Sequence, residues 1–124
     1  MAATVLVVDD DTNLQTLLHV VLRRAGYAVD FASDGPSGLQ KLQNGLYDAV
    51  LLDLLTPSLT GLDILAAIER DRPSILRKVV VVSGAPPSTL AKAQQYSVNA
   101  VMRKPFDIIE LVNAVRACAS TACT

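Results

Sequence analysis

Five short apolar runs, at residues 5–8, 28–31, 49–52, 79–82 and 100–102, constrain this chain more than any other feature. They are rich in β-branched residues, bounded by turn residues, and lack the apolar–polar alternation of a sheet with one wet face. Such runs read as strands buried on both faces, which is the signature of a parallel sheet. Between them the apolar period changes. Leu14, Leu17, Leu18, Val21 and Leu22 recur at helical spacing, with Gly26 as a stop signal. Leu39, Leu42 and Leu46 predict a helix over 35–45, and Leu62, Leu65 and Ile68 predict another ending at Asp71-Arg72-Pro73. A fourth helix follows Pro86-Pro87 and covers 90–96, while Ile108, Leu111, Val112 and Val115 mark a fifth. Five βα units in succession predict a doubly wound α/β fold: an open five-stranded parallel sheet, helices on both faces, right-handed crossovers. No composition shift, repeat or linker interrupts the pattern, so residues 1–124 read as a single domain.

Composition removes several function classes. The chain is 51% hydrophobic and 19% charged, which fits a packed domain and excludes disorder. A formal net charge of -1 gives no electrostatic case for direct nucleic-acid or membrane binding. No apolar run approaches the roughly 18 residues of a membrane span, and the N-terminal residues lack a basic segment and cleavage site. Cys118 and Cys123 have neither metal-ligand nor redox-motif spacing and read as incidental. The expected compartment is the cytoplasm.

Chemistry in an open α/β sheet gathers at the carboxyl ends of the strands, near the reversal in strand order. Reading off those ends gives Asp9, Asp10 and Asp11 after the first strand and Asp53 after the third. Ser83 and Gly84 follow the fourth, and Arg103-Lys104-Pro105 the fifth. Two carboxylates about 4 Å apart repel by roughly 4 kcal/mol at an effective dielectric near 20. Such a cluster must raise a pKa or take up a cation, and a hard divalent ion such as Mg²⁺ suits oxygen ligands. Lys104 adds a positive charge and Ser83 a hydroxyl for an incoming anion. A carboxylate nucleophile, a metal, a lysine and a hydroxyl form a phosphoryl-transfer set. Read alone, the acidic triplet is equally a solvated loop capping a helix, and for Asp11 capping is the preferred reading. Ser83 could merely cap a turn, but the functional role is the preferred reading. His19 falls off the apolar stripe and is read as a surface residue. Asp63 and Glu69 read as exposed faces of the third helix, and Tyr27, Tyr47 and Tyr96 as packing or edge residues.

Taken in order, Val7-Val8-Asp9-Asp10-Asp11, Gly26-Tyr27, Ala32-Ser33-Asp34-Gly35, Tyr47-Asp48-Ala49-Val50-Leu51-Leu52-Asp53, Pro57, Gly61, Ser83-Gly84 and Lys104-Pro105-Phe106 resemble a bacterial response-regulator receiver domain. The likeness covers nearly the whole chain and implies strand order 2-1-3-4-5. It implies that Asp53 accepts a phosphoryl group from a sensor histidine kinase or phosphotransfer protein. It further implies Mg²⁺ (with Mn²⁺ able to substitute) bound by Asp10 directly, Asp9 through water, Asp53, and the backbone carbonyl of Leu55. Ser83 and Lys104 would each hold a phosphoryl oxygen, and the Lys104-Pro105 bond would be cis. Replacing Lys104 is expected to spare metal binding. The domain would be a conditional binding module in a two-component system or phosphorelay, limited to its own phosphorylation and dephosphorylation. Its downstream protein or effector domain is not written in the chain.

Departures from the family pattern mark this sequence. Thr56 and Thr60 replace the usual Met before the proline and Asp before the glycine. Val101 stands at the usual aromatic switch position, and Ser97-Val98 replaces the customary Gly-Ala. Leu55 and Ala85 occupy positions that influence water attack in the family, and neither side chain can orient water, leaving Thr56 as the nearby hydroxyl. Two other readings compete. A Mg²⁺-dependent phosphatase of the haloacid-dehalogenase type would use Asp9 as nucleophile, leaving Asp53 without a role and offering no late acidic pair or room for a cap. A pseudo-receiver would bind partners without phosphorylation. A flavodoxin-like cofactor binder lacks its phosphate loop.

Overall fold

The computed structural model describes residues 3–121, so Cys123 lies outside the described residues. The elements run β1 (Thr4–Val8), α1 (Thr12–Arg24), β2 (Ala28–Ala32), α2 (Gly35–Asn44), β3 (Ala49–Leu52), α3 (Gly61–Asp71), a 3₁₀ segment (Pro73–Lys78), β4 (Val79–Ser83), α4 (Pro87–Gln94), β5 (Ala100–Arg103) and α5 (Ile108–Thr121). All strand pairs are parallel, in the order β2-β1-β3-β4-β5. The doubly wound fold is as the apolar pattern predicts, and the strand order is the one the resemblance implies.

Side chains alternate across the sheet with the period of two that strands impose. Leu6, Val8, Val50, Leu52, Val79 and Val81 face α2, α3 and α4, where they meet Leu42, Ile64, Leu65, Ile68, Leu90 and Ala93. Val5, Val7, Ala49, Leu51, Val80 and Val82 face α1 and α5, meeting Leu18, Leu22, Leu111, Val115 and Cys118. The three central strands are therefore apolar on both sides, as parallel strands under two helical layers must be. Burial pushes the Cys118 thiol up to about 11.

Local signals end α1 and α3 where the sequence places them, while α4 runs Pro87–Gln94 instead of over 90–96. Asp11 caps α1, accepting from the N–H groups of Asn13 (3.0 Å) and Leu14 (3.2 Å). Gly26, at φ +99°, lets Tyr27 N–H close on the Leu22 carbonyl at 3.0 Å and terminates the helix. Leu46 departs from expectation: α2 stops at Asn44, Gly45 is extended, and Leu46 is 87% exposed. Arg72 supplies the stop by donating to the carbonyls of Leu42 (2.7 Å) and Gln43 (3.2 Å). Tyr47 takes the packing position instead, its hydroxyl donating to Asp30 at 2.7 Å. The 3₁₀ segment was not foreseen; it buries Ile75 and Leu76 beneath α3 and β4. Asp63, read as a plain exposed acid, completes a capping box with Thr60 at the start of α3.

Gly61 couples this cap to the sheet. A Cβ there would stand 2.6 Å from the Asp53 carbonyl oxygen and 2.7 Å from Leu54 Cα, both backbone atoms that cannot yield cheaply. Gly61→Ala is expected to lower unfolding free energy by about 2–3 kcal/mol through overpacking, read as a shift of the urea midpoint at unchanged slope. A variant as stable as the parent would show that β3 and α3 can separate freely.

Candidate functional site

The site residues stand at or just beyond the carboxyl ends of four strands: Asp9 and Asp10 after β1, Asp53 and Leu55 after β3, Ser83 at the end of β4 and Lys104 after β5. The first backbone N–H past β1, on Asp9, donates to Ala32 (3.0 Å), and that past β3, on Asp53, donates to Val8 (3.0 Å). These continue the ladders by one step and fix two acids side by side where the strand order reverses. Ser83 ends β4 with no exposed surface, and the N–H of Lys104 donates to the Ser83 carbonyl at 3.0 Å. The Lys104-Pro105 peptide is cis.

Asp9 is 3% exposed and Asp53 6%. Lys104 Nζ lies between them, 2.7 Å from Asp9 Oδ2 and 3.1 Å from Asp53 Oδ2. The other Asp53 oxygen, Oδ1, accepts from Ser83 Oγ at 2.6 Å and from Leu55 N–H at 3.1 Å. Ser83 Oγ in turn accepts from Ala85 N–H at 3.2 Å, so Ser83 caps its turn and touches Asp53 at once. Burial raises the pKa of Asp9, and the Asp53 charge adds to it, while hydrogen bonds from Lys104 and the Asp11 N–H pull it back only in part. For Lys104 burial acts downward, but the hydrogen bonds to Asp9 and Asp53 and their charges prevail and its pKa is raised. Asp10 is exposed at the rim, and Asp9, Asp10 and Asp53 each offer an oxygen within 4.8 Å of the others. Three converging carboxylates, one already held above its ordinary range, form a donor set that fits a hard divalent cation.

The structure thus brings Asp9, Asp10, Asp53, Ser83 and Lys104 together, with Leu55 following Asp53 in the loop. Asp11 faces away into its capping role. His19 is exposed as read, although its ring stacks on Phe31 with centroids 5.7 Å apart. Thr56 is buried and commits its hydroxyl to the Leu59 carbonyl at 2.6 Å, so it is not free to face the acids. In the same loop Ser58 holds φ +71°, a conformation that costs a residue bearing a Cβ. Gln15 escaped the sequence reading. From α1 its amide donates to the Asp9 carbonyl and to Ser33 Oγ, pinning the acidic loop to the turn after β2. A lone glutamine in a helix gives no signal of this until the two loops are seen to meet.

A family profile described as "Response regulator receiver domain" matches residues 5–116. The chain belongs to that family. This receiver domain is 31% identical over 113 residues to the response regulator ArlR of Staphylococcus saprophyticus, covering 91% of this chain and 50% of that protein. Against ArlR of Staphylococcus aureus strain MW2 the identity is 32%, covering 91% and 51%. The receiver domain therefore spans about half the length of the curated relatives it matches. A putative response regulator from Chloroflexus aurantiacus is 28% identical, with a TM-score of 0.86 and coverage of 97% and 99%. A CheY-like receiver domain from Methanospirillum hungatei superposes with a TM-score of 0.88 at 24% identity over 98% and 96%, which speaks to the fold. Among the described residues no helix is long and apolar enough to cross a membrane.

The raised pKa of Asp9 carries a pH prediction for the metal-free domain. A carboxyl whose folded pKa exceeds its unfolded value near 3.8 costs stability as pH rises between the two, and the cost is constant above them. Asp9→Asn is therefore expected to be more stable than the parent at neutral pH in chelator. The advantage should vanish below the ordinary carboxylate range. Paired urea unfolding curves at neutral and acid pH test this, and a variant less stable at neutral pH would contradict it.

Proposed function

We propose that the domain is a phosphorylation-driven switch that accepts a phosphoryl group on Asp53 from a histidine kinase or phosphotransfer protein. The observation that carries this reading is the environment of Asp53: a buried carboxylate with a hydroxyl at 2.6 Å and an ammonium at 3.1 Å. A carboxylate oxygen forms the new P–O bond as the P–N bond of the donor phosphoimidazole breaks and the imidazole keeps the electron pair. Ser83 and Lys104 are the groups placed to hold phosphoryl oxygens, by a neutral and a charge-assisted hydrogen bond. Asp9, Asp10, Asp53 and the Leu55 carbonyl would hold Mg²⁺, or Mn²⁺ in its place. The ion supplies charge neutralisation for the transferring group. Asp10, the exposed member, is assigned as direct ligand, and Asp9 as ligand through water.

The chain acts as one receiver domain that changes a partner's or an attached effector's behaviour, not as an enzyme with turnover, and works in the cytoplasm. Family membership and the Ser83 bond to Asp53 weigh against a phosphatase with Asp9 as nucleophile. A pseudo-receiver is disfavoured because every polar group of the acceptor set is present.

Incubation with acetyl phosphate and Mg²⁺ should add one phosphoryl mass, and Asp53→Asn should abolish the adduct because shape is kept and the nucleophile is lost. An undiminished adduct on another carboxylate would refute the site. The phosphorylated domain should decay over minutes or longer. Leu55 is 52% exposed yet apolar, Ala85 carries no polar group, and Thr56 is already committed, so these three side chains do not orient a water. Leu55→Asn should shorten the half-life; decay within seconds that Leu55→Asn leaves unchanged would count against the argument.

A further inference from the structure

We infer that Lys104 is an internal cation that competes with the divalent ion, so that the lysine lowers metal affinity in the resting domain. The inference rests on the metal reading of Asp9, Asp10 and Asp53 and concerns what that reading leaves open. Lys104 reaches two of those three acids, and its shorter contact is to Asp9, at 2.7 Å against 3.1 Å for Asp53. Both acids are almost fully buried, whereas a quarter of the lysine side chain remains exposed. The ammonium therefore does inside the site what a metal would do: it supplies positive charge to two carboxylates that repel each other. An ion entering among the three acids meets a positive charge within hydrogen-bond distance of two of its ligands. It must displace that charge or bind against it.

The oxygens of Asp53 sharpen the point. Oδ1 is occupied by Ser83 and Leu55, whereas among these contacts Oδ2 is held by Lys104 alone. Loosening the lysine thus uncovers an Asp53 oxygen and an Asp9 oxygen together. From sequence alone Lys104 reads as indifferent to metal, because a lysine assigned to an incoming phosphoryl group has no evident business with the acids beforehand. The geometry gives it that business.

Calorimetric titration with Mg²⁺ alone at neutral pH, with no phosphoryl donor present, tests the inference. Lys104→Met should bind about ten-fold more tightly than the parent, since a like charge in contact with the site is removed. Lys104→Gln should show the same direction, guarding against a fault in one variant. Arg103→Met removes a neighbouring positive charge that is exposed and makes no ion pair among the described residues, and should change affinity by less than about two-fold. As an independent readout, saturating Mg²⁺ should raise the melting temperature more in Lys104→Met than in the parent, because the metal replaces a missing counter-ion. Unchanged or weaker Mg²⁺ binding in both Lys104 variants would overturn the inference, as would an equal gain in Arg103→Met, which would make the effect one of net charge. If Asp10→Asn and Asp53→Asn bind Mg²⁺ as the parent does, the metal reading itself fails and the inference with it. If they weaken binding while the Lys104 variants gain nothing, only the inference fails.

Discussion

Two carboxylates buried side by side at the reversal point of a parallel sheet set the terms for everything around them. Asp9 and Asp53 occupy adjacent ladder steps because β1 and β3 are neighbours in register, Val8 opposite Leu52. A backbone hydrogen bond to the neighbouring strand holds the main chain of each acid in place. Their repulsion must be met by something cationic, and in the described residues that role falls to Lys104, delivered from β5 at the far side of β4. The hydroxyl of Ser83 and the N–H groups of Leu55 and Asp11 finish the solvation that water would otherwise give. A site so arranged is built around negative charge that the fold tolerates only while balanced, which is the condition a chemically reactive carboxylate needs.

Much of this was legible because strands buried on both faces leave an unambiguous trace. Val5 to Val8 and Val79 to Val82 have no polar residue to spare for solvent, so their assignment did not depend on propensity. Once five such runs were placed, the residues at their ends could be read off, and Asp9, Asp53, Ser83 and Lys104 followed. What escaped was tertiary. Leu46 matches the apolar period of α2, but Arg72, about thirty residues on, ends that helix first. Nothing local to Leu46 announces a guanidinium arriving from beyond α3. Gln15 and Asp63 were missed likewise: their work depends on a loop or a cap whose geometry is known only after folding.

Thr56 shows the converse. Its hydroxyl reads from sequence as available to the site, yet the turn after β3 requires it for the Leu59 carbonyl. The same loop carries the positive φ of Ser58 and the close approach of Gly61 to the Asp53 backbone. The segment leading out of Asp53 is thus held by its own side chains and backbone, and the polar complement facing that acid is smaller than the composition of the loop suggests.

The long reach of one ion pair has a consequence for how the molecule is made. Asp9 and Lys104 are separated by 95 positions along the chain. During synthesis the strands bearing both acids leave the ribosome well before the one bearing the lysine. A sheet of β1, β2 and β3 alone would hold its two central acids without Lys104, which arrives only with β5. The residue that balances the acids therefore follows the last strand to pair, and a chain cut short before it would leave Asp9 and Asp53 without that charge.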